Sequence, residues 1–175
     1  YHIRIAAEGN KAGLTVIPFV LTPDAPAPRL GWEELDFLWS RRHTLMASAK
    51  RKKLRALLKM REELLAAAQD ADVLWVYNGA NFHPAWLADF PKDLLTVYGC
   101  FDDPESSSNL SEPIAPYFDA CLVGNIAATP LYQKWGCRQV EWSPIFCTTG
   151  QSGISEDTFF SEQRDIPLIF CGERE

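Results

Sequence analysis

Short apolar runs, separated by longer stretches of helical spacing, set the layout of this chain. Val73 to Tyr77, Leu94 to Phe101, Ala120 to Val123 and Gln139 to Trp142 are compact apolar segments bounded by Gly, Pro, Asn and Asp. Such runs predict strands buried on both faces. Between them lie segments of helical character: Pro84 to Phe90 after Asn81 and His83, a turn near Ile114 to Phe118, and Thr129 to Trp135 closed by Gly136. Upstream, Trp32 to Gln69 reads as helix in two pieces, Trp32 to Trp39 and Leu45 to Ala68. In the second piece Leu54, Leu57, Leu58, Leu64, Leu65 and Ala68 recur at three- and four-residue spacing and form one apolar stripe, suited to packing on a sheet. Leu14 to Leu21, between Gly13 and the prolines at Pro23, Pro26 and Pro28, reads as a further strand. Ile3 to Ala12 reads as a short helix with Gly13 as its C′ residue, which implies an earlier strand ahead of it.

Strands that alternate with helical segments indicate a parallel sheet with helices across both faces. The predicted fold class is therefore α/β, a doubly wound, parallel, Rossmann-like sheet. Residues 1–147 form this domain. Thr148 to Arg164 is polar and carries two glycines, which suits a linker, and residues 165–175 hold a fresh apolar run, Ile166 to Cys171, followed by Gly172. That run reads as the first strand of a second unit, so the chain is expected to be part of something longer.

Composition narrows the class. With 175 residues, 47% of them apolar and 23% charged, the chain can bury one good core and is not a disordered segment. The five cysteines, Cys100, Cys121, Cys137, Cys147 and Cys171, are odd in number, widely spaced and free of any C-x-x-C pair. They read as free thiols in a reducing compartment, not as a disulfide frame or zinc site. No apolar run approaches the ~20 residues of a membrane span, and no leader is visible. The expected location is the cytoplasm.

In open parallel sheets, ligands bind beyond the carboxyl ends of the strands. The turns leaving the Val73, Leu94 and Ala120 strands are therefore expected to converge on one rim. The richest of these turns is Phe101-Asp102-Asp103-Pro104-Glu105-Ser106. Asp102 and Asp103 could share a proton as a general base, position a hydroxyl or hold a divalent cation; equally, one of them could simply cap the turn that Pro104 initiates. Asn78, Asn81 and His83 follow the Val73 strand and carry hydroxyl-binding groups, though Asn81 or His83 could serve only as a helix cap. Gly124 and Asn125 follow the Ala120 strand, with Asn125 open to the same plain reading as an N-cap.

A basic run stands out against a net charge of −6: from Arg41 to Arg61 there are nine Lys or Arg residues and no acid. Either the segment Lys50 to Arg61 meets an anionic membrane surface as a peripheral contact, or it is the solvated face of an amphipathic helix. Nucleic acid is the less favoured partner, because no aromatics interleave with the charges.

No G-x-G-x-x-G, Walker A, G-x-S-x-G or H-E-x-x-H motif occurs. Taken in order, "VLWVYNGANFHPAWL", "LLTVYGCFDDPESS", "IAPYFDACLVGN", "LYQKWGCRQVEWSP" and "RDIPLIFCG" resemble the bacterial spore-maturation (CgeB-type) glycosyltransferases over residues 70–175. Their strand ending in a D-D-P loop is the most specific piece. The resemblance implies the N-terminal, acceptor-side half of a GT-B architecture, with two Rossmann-like domains facing a cleft and the nucleotide-sugar donor held mainly by the second. Carried over by position, it places Asp102 and Asp103 at that cleft with Asn78, Asn81 and His83 beside them, and implies neither metal nor cofactor. The motif itself assigns neither carboxylate a role; Asp102 and Asp103 are taken as the candidate catalytic residues, with Asn78, Asn81, His83, Glu105, Ser106 and Asn125 as candidate acceptor-binding residues. Phe101 stands where some relatives carry Trp. The competing reading is a flavodoxin-like or receiver-like module whose Asp102 and Asp103 form an acidic, Mg-binding pocket. Such a module is expected to carry further acids at an earlier strand end and a later lysine, and neither stands out.

Overall fold

The computed structural model describes residues 13–17, 30–79, 81–101, 103–104 and 110–143. The chain divides into two units, Tyr1–Pro144 and Ile145–Glu175, and every described residue belongs to the first. The helix expected at Ile3 to Ala12, the linker and the strand at Ile166 to Cys171 lie outside the described residues. So do residues 18–21 of the Leu14 to Leu21 strand, whose described part, residues 14–17, belongs to none of the strands below. Gly13 has φ +82°, a left-handed conformation that glycine adopts readily.

Among the described residues, two helices precede the sheet. Helix α1, Trp32–Ser40, begins with Glu33 and Glu34 in its first turn, where carboxylates meet the positive end of the helix dipole. Arg42 donates from Nη1 to the Trp39 carbonyl at 2.9 Å and so covers one of the open carbonyls at its end. Helix α2 spans Ser48–Ala67 and buries Leu54, Leu57, Met60 and Leu64. It starts three residues later than the sequence pattern suggests. Ala47 holds an extended ψ of 151° and Leu45 is 99% exposed, so nothing apolar anchors an earlier turn.

The sheet is built from β1 Val73–Tyr77, β2 Leu95–Cys100, β3 Ala120–Val123 and β4 Val140–Trp142, in the order β1-β2-β3-β4. All three pairings are parallel. This is a mixed α/β architecture with an all-parallel four-stranded sheet, consistent with a Rossmann-like fold. Short 3-10 turns, Pro84–Asp89, Ala115–Tyr117 and Ile126–Ala128, and helix α3, Thr129–Trp135, fill the connections. Gly136, at φ +90°, ends α3.

Register sorts the side chains into two faces, because successive residues of a strand point to opposite sides. Val76, Tyr98 and Cys121 are aligned neighbours, and all three are buried. The ring of Tyr98 meets those of Phe118 and Tyr132; Phe82 links Phe118 to Trp86, and Trp86 meets Trp39 of α1. This aromatic chain ties α1 and the connections to one face of the sheet, and Trp86, Phe82, Phe118, Tyr98 and Tyr132 are essentially inaccessible. Burying each such ring contributes about 1.5–3 kcal/mol. The opposite face is only partly covered, with Val73 50%, Trp75 41% and Leu95 47% exposed.

Candidate functional site

The parallel strands deliver their turns to one edge. Beyond β1, the Asn78 amide donates to the Gly99 carbonyl at 2.6 Å, extending the ladder by one residue. Beyond β2, the ring of Phe101 lies 5.4 Å from that of Tyr77. Beyond β3, the Gly124 amide donates to the Cys100 carbonyl at 3.1 Å and the Gly124 carbonyl accepts from Trp142 Nε1 at 3.3 Å. The turns after Tyr77, Cys100 and Val123 therefore adjoin one another at the carboxyl edge, where ligands of such sheets bind.

Asp103 departs from the orientation expected of it. Only 1% exposed, it turns into the core, where Tyr132 Oη of α3 donates to its Oδ2 at 2.5 Å. Its Oδ1 has no hydrogen-bond partner among the described residues. Beside this pair, the hydroxyls of Tyr98 and Ser111, both fully buried, lie 2.9 Å apart. Burial, and then the hydrogen bond to Asp103, push the Tyr132 phenol far above its ordinary value. Burial likewise raises Tyr98, helped by Cys100. Both phenols therefore remain protonated at any physiological pH, and Tyr132 is a permanent donor to Asp103. The physical reason for the inward turn is this partner: a carboxylate leaves water only where a donor waits for it. Asp102, Glu105 and Ser106 lie outside the described residues.

The amides of the first rim loop serve the fold. Asn78 is 5% exposed at φ +62°, with its Oδ1 3.9 Å from Cys100 Sγ. Gly79 follows at φ +56°, where a side chain would meet the Tyr98 ring at 3.0 Å and Ile114 at 3.1 Å. Asn81, also at φ +62°, accepts the Leu30 amide at 2.8 Å and so pins the approach to α1. Asn125 is exposed and accepts the Ala127 amide at 3.0 Å, as an N-cap does.

His83 opens the next turn. Its Nδ1 accepts the Ala85 amide at 3.2 Å and caps the turn Pro84–Asp89. That leaves the proton of the neutral ring on Nε2, which faces Asp36 Oδ1 at 3.4 Å. The imidazole stacks on Trp32, with centroids 5.4 Å apart and planes 18° from parallel, and lies the same distance from Trp39. Burial lowers its pKa, more than the hydrogen bond and charge of Asp36 raise it. His83, Asp36, Trp32, Leu87 and Tyr117 line a pocket of about 380 Å³ on the helical side of the sheet. Among the described residues, no hydrogen bond joins His83 or Asp36 to Asp103.

The structure thus brings Asn78 and the start of the Asp loop to one rim, and packs His83 against Trp32 and Trp39. The sequence pattern missed Tyr132, Ser111, Asp36 and Tyr117. Only Tyr132 left a trace there, as a hydroxyl-bearing ring on the inward face of a very short helix. Compared with known protein families, curated proteins and solved structures, the chain matches none of them.

Proposed function

We propose that this chain is the acceptor-side domain of a bacterial glycosyltransferase of the GT-B type, acting in the cytoplasm on a nucleotide-sugar donor and a glycosyl acceptor. The observation that carries the reading is the shared carboxyl edge, where an all-parallel sheet presents the turns at Asn78, Phe101 and Gly124 side by side. A doubly wound sheet belongs to the same proposal. The apolar, half-exposed residues Val73, Trp75 and Leu95 suit a face that takes a second layer. Cys121 and Cys137 are buried thiols outside any disulfide, which suits a reducing compartment.

Within this reading the adjacent aspartates divide the work. Asp103, bound to Tyr132, anchors the loop, and Asp102 is the carboxylate offered to the acceptor hydroxyl as general base. The His83 pocket, with Trp32 and Tyr117 as flat apolar walls and the half-exposed Asp36 as acceptor, is suited to a hydroxylated ring. No metal or cofactor is required by the proposal. The receiver-like alternative draws less support, since the carboxylate of Asp103 that it needs for Mg²⁺ is engaged inside the core.

The test is a transfer assay on the polypeptide that carries this domain. UDP-glucose, UDP-N-acetylglucosamine, GDP-mannose and dTDP-glucose are offered in turn, with and without a saccharide library, and nucleoside diphosphate release is followed. Acceptor-dependent release that falls by about a hundredfold or more in Asp102→Asn is the expected result. Absence of acceptor-dependent release with every donor, or an Asp102→Asn variant as active as the parent, rejects the proposal.

A further inference from the structure

The cations of α2 separate into two groups. Lys53 pairs with Glu34 at 2.6 Å, Lys59 with Glu63 at 3.6 Å and Arg61 with Asp89 at 2.5 Å. Arg51, Lys52 and Arg55 are exposed and have no ion pair among the described residues. At ~3.6 residues per turn these three lie on the side of the helix opposite the buried stripe of Leu54, Leu57, Met60 and Leu64. Acids enter the helix only at Glu62 and Glu63, so its amino-terminal half carries positive charge alone.

Apolar groups stand at the same end. Leu45, three residues ahead of α2, is 99% exposed and packs on nothing. Phe37 of α1 is 38% exposed, with Lys50 Nζ 4.0 Å from its ring centre and the Arg41 guanidinium 5.8 Å away. Cations without an ion pair among the described residues, within ten residues of an apolar side chain held fully in water, on a chain whose net charge is −6, are complementary to one kind of surface. Anionic headgroups attract the cations, and the boundary beneath them accepts the leucine.

We infer that the amino-terminal half of α2 and the segment before it dock on an anionic lipid surface, with Arg51, Lys52 and Arg55 facing the headgroups and Leu45 entering them. The contact is peripheral: no helix among the described residues is long and apolar enough to cross a membrane. A nucleic-acid partner would leave Leu45 without a role and finds no exposed aromatic among the three cations on which to stack a base. The inference does not depend on the transferase reading, since it uses none of the rim residues.

Co-sedimentation of the protein with phosphatidylcholine vesicles, with and without about one third phosphatidylglycerol, tests it at about 0.05 M and about 0.5 M salt. Binding is expected only to the anionic vesicles and only at low salt. At about fivefold per cation, the triple variant Arg51→Gln/Lys52→Gln/Arg55→Gln should bind about a hundredfold more weakly. Leu45→Ser should weaken binding by about tenfold, and Lys92→Gln/Lys134→Gln, which removes charge elsewhere, should change it little. These positions are all exposed, and circular dichroism verifies that the variants stay folded. Equal binding to neutral vesicles, no loss in the triple variant, or a loss as large in the Lys92/Lys134 control overturns the inference. So does a single-stranded RNA that binds the same face and displaces the protein from vesicles.

Discussion

Tyr132 and Asp103, 29 residues apart, meet in the interior, with the phenolic oxygen 2.5 Å from Asp103 Oδ2. The hydroxyl is the only described donor to that carboxylate. Tyr132→Phe keeps the ring and leaves both carboxylate oxygens bare inside the core. A loss of about 3 kcal/mol in urea denaturation is expected. Asp103→Asn, which keeps an acceptor oxygen for Tyr132, should cost less. A Tyr132→Phe variant as stable as the parent would show that Asp103 is not held in this way.

His83 makes stability depend on pH near neutrality. Its folded pKa lies below the ordinary 6.5, chiefly through burial. The unfolded chain therefore takes up a proton at a higher pH than the native one. The stabilisation from the neutral ring is complete above the unfolded value and is lost as pH falls below 6.5 through the folded value. The thermal midpoint should drop across that window. His83→Asn retains a side-chain acceptor for the Ala85 amide but cannot titrate, so its midpoint should vary less with pH.

Thr96 and Asp119 form a reciprocal clamp at the entry to β3. Asp119 Oδ2 accepts from the Thr96 amide at 3.0 Å and from its hydroxyl at 2.7 Å, and Thr96 Oγ1 accepts the Asp119 amide at 3.1 Å. These bonds hold Asp119 below the ordinary carboxylate value of 3.8. Their contribution is present above 3.8 and is lost as pH falls through the lower, folded value. Thr96→Val should cost roughly 1 kcal/mol at neutral pH, a modest figure because Asp119 is 45% exposed. The difference between variant and parent should shrink in chemical denaturation as pH falls below 3.8 through the folded value, without vanishing, because the bond from the Asp119 amide to Thr96 Oγ1 does not titrate.

Gly124 lies against Phe101 where the β2 and β3 turns adjoin. A methyl group there would meet Phe101 Cδ1 closest of all and come within 2.9 Å of its Cγ and Cβ, and Cβ is too close to the backbone to swing aside. Gly124→Ala should lower stability by about 1–3 kcal/mol. Adding Phe101→Ala should recover part of the loss, and a double-mutant cycle in urea measures the coupling.

The strands were legible because each is a continuous apolar run with a breaker at its end. Val73–Tyr77 and Ala120–Val123 fall where the pattern predicts them, and helix α3 ends at Gly136 as expected. Periodicity also marked the inward stripe of α2, although Met60 escaped it and Leu45 was wrongly drawn into the helix. Its apolar character suggested an anchor that the fold does not supply.

Sequence alone determined the order of the elements and the residues that reach the strand ends, because both follow from local periodicity and from where glycine and proline interrupt it. It could not say that the Asp103 carboxylate turns inward. That depended on a hydroxyl contributed by a helix two elements further along the chain. Nor could it say what holds the His83 ring, because Trp32 and Trp39, which pack on it, belong to a helix more than 40 residues upstream. Local pattern encodes which residues leave water. Only the tertiary structure decides which distant donor or ring makes a buried polar side chain affordable, and hence where it points.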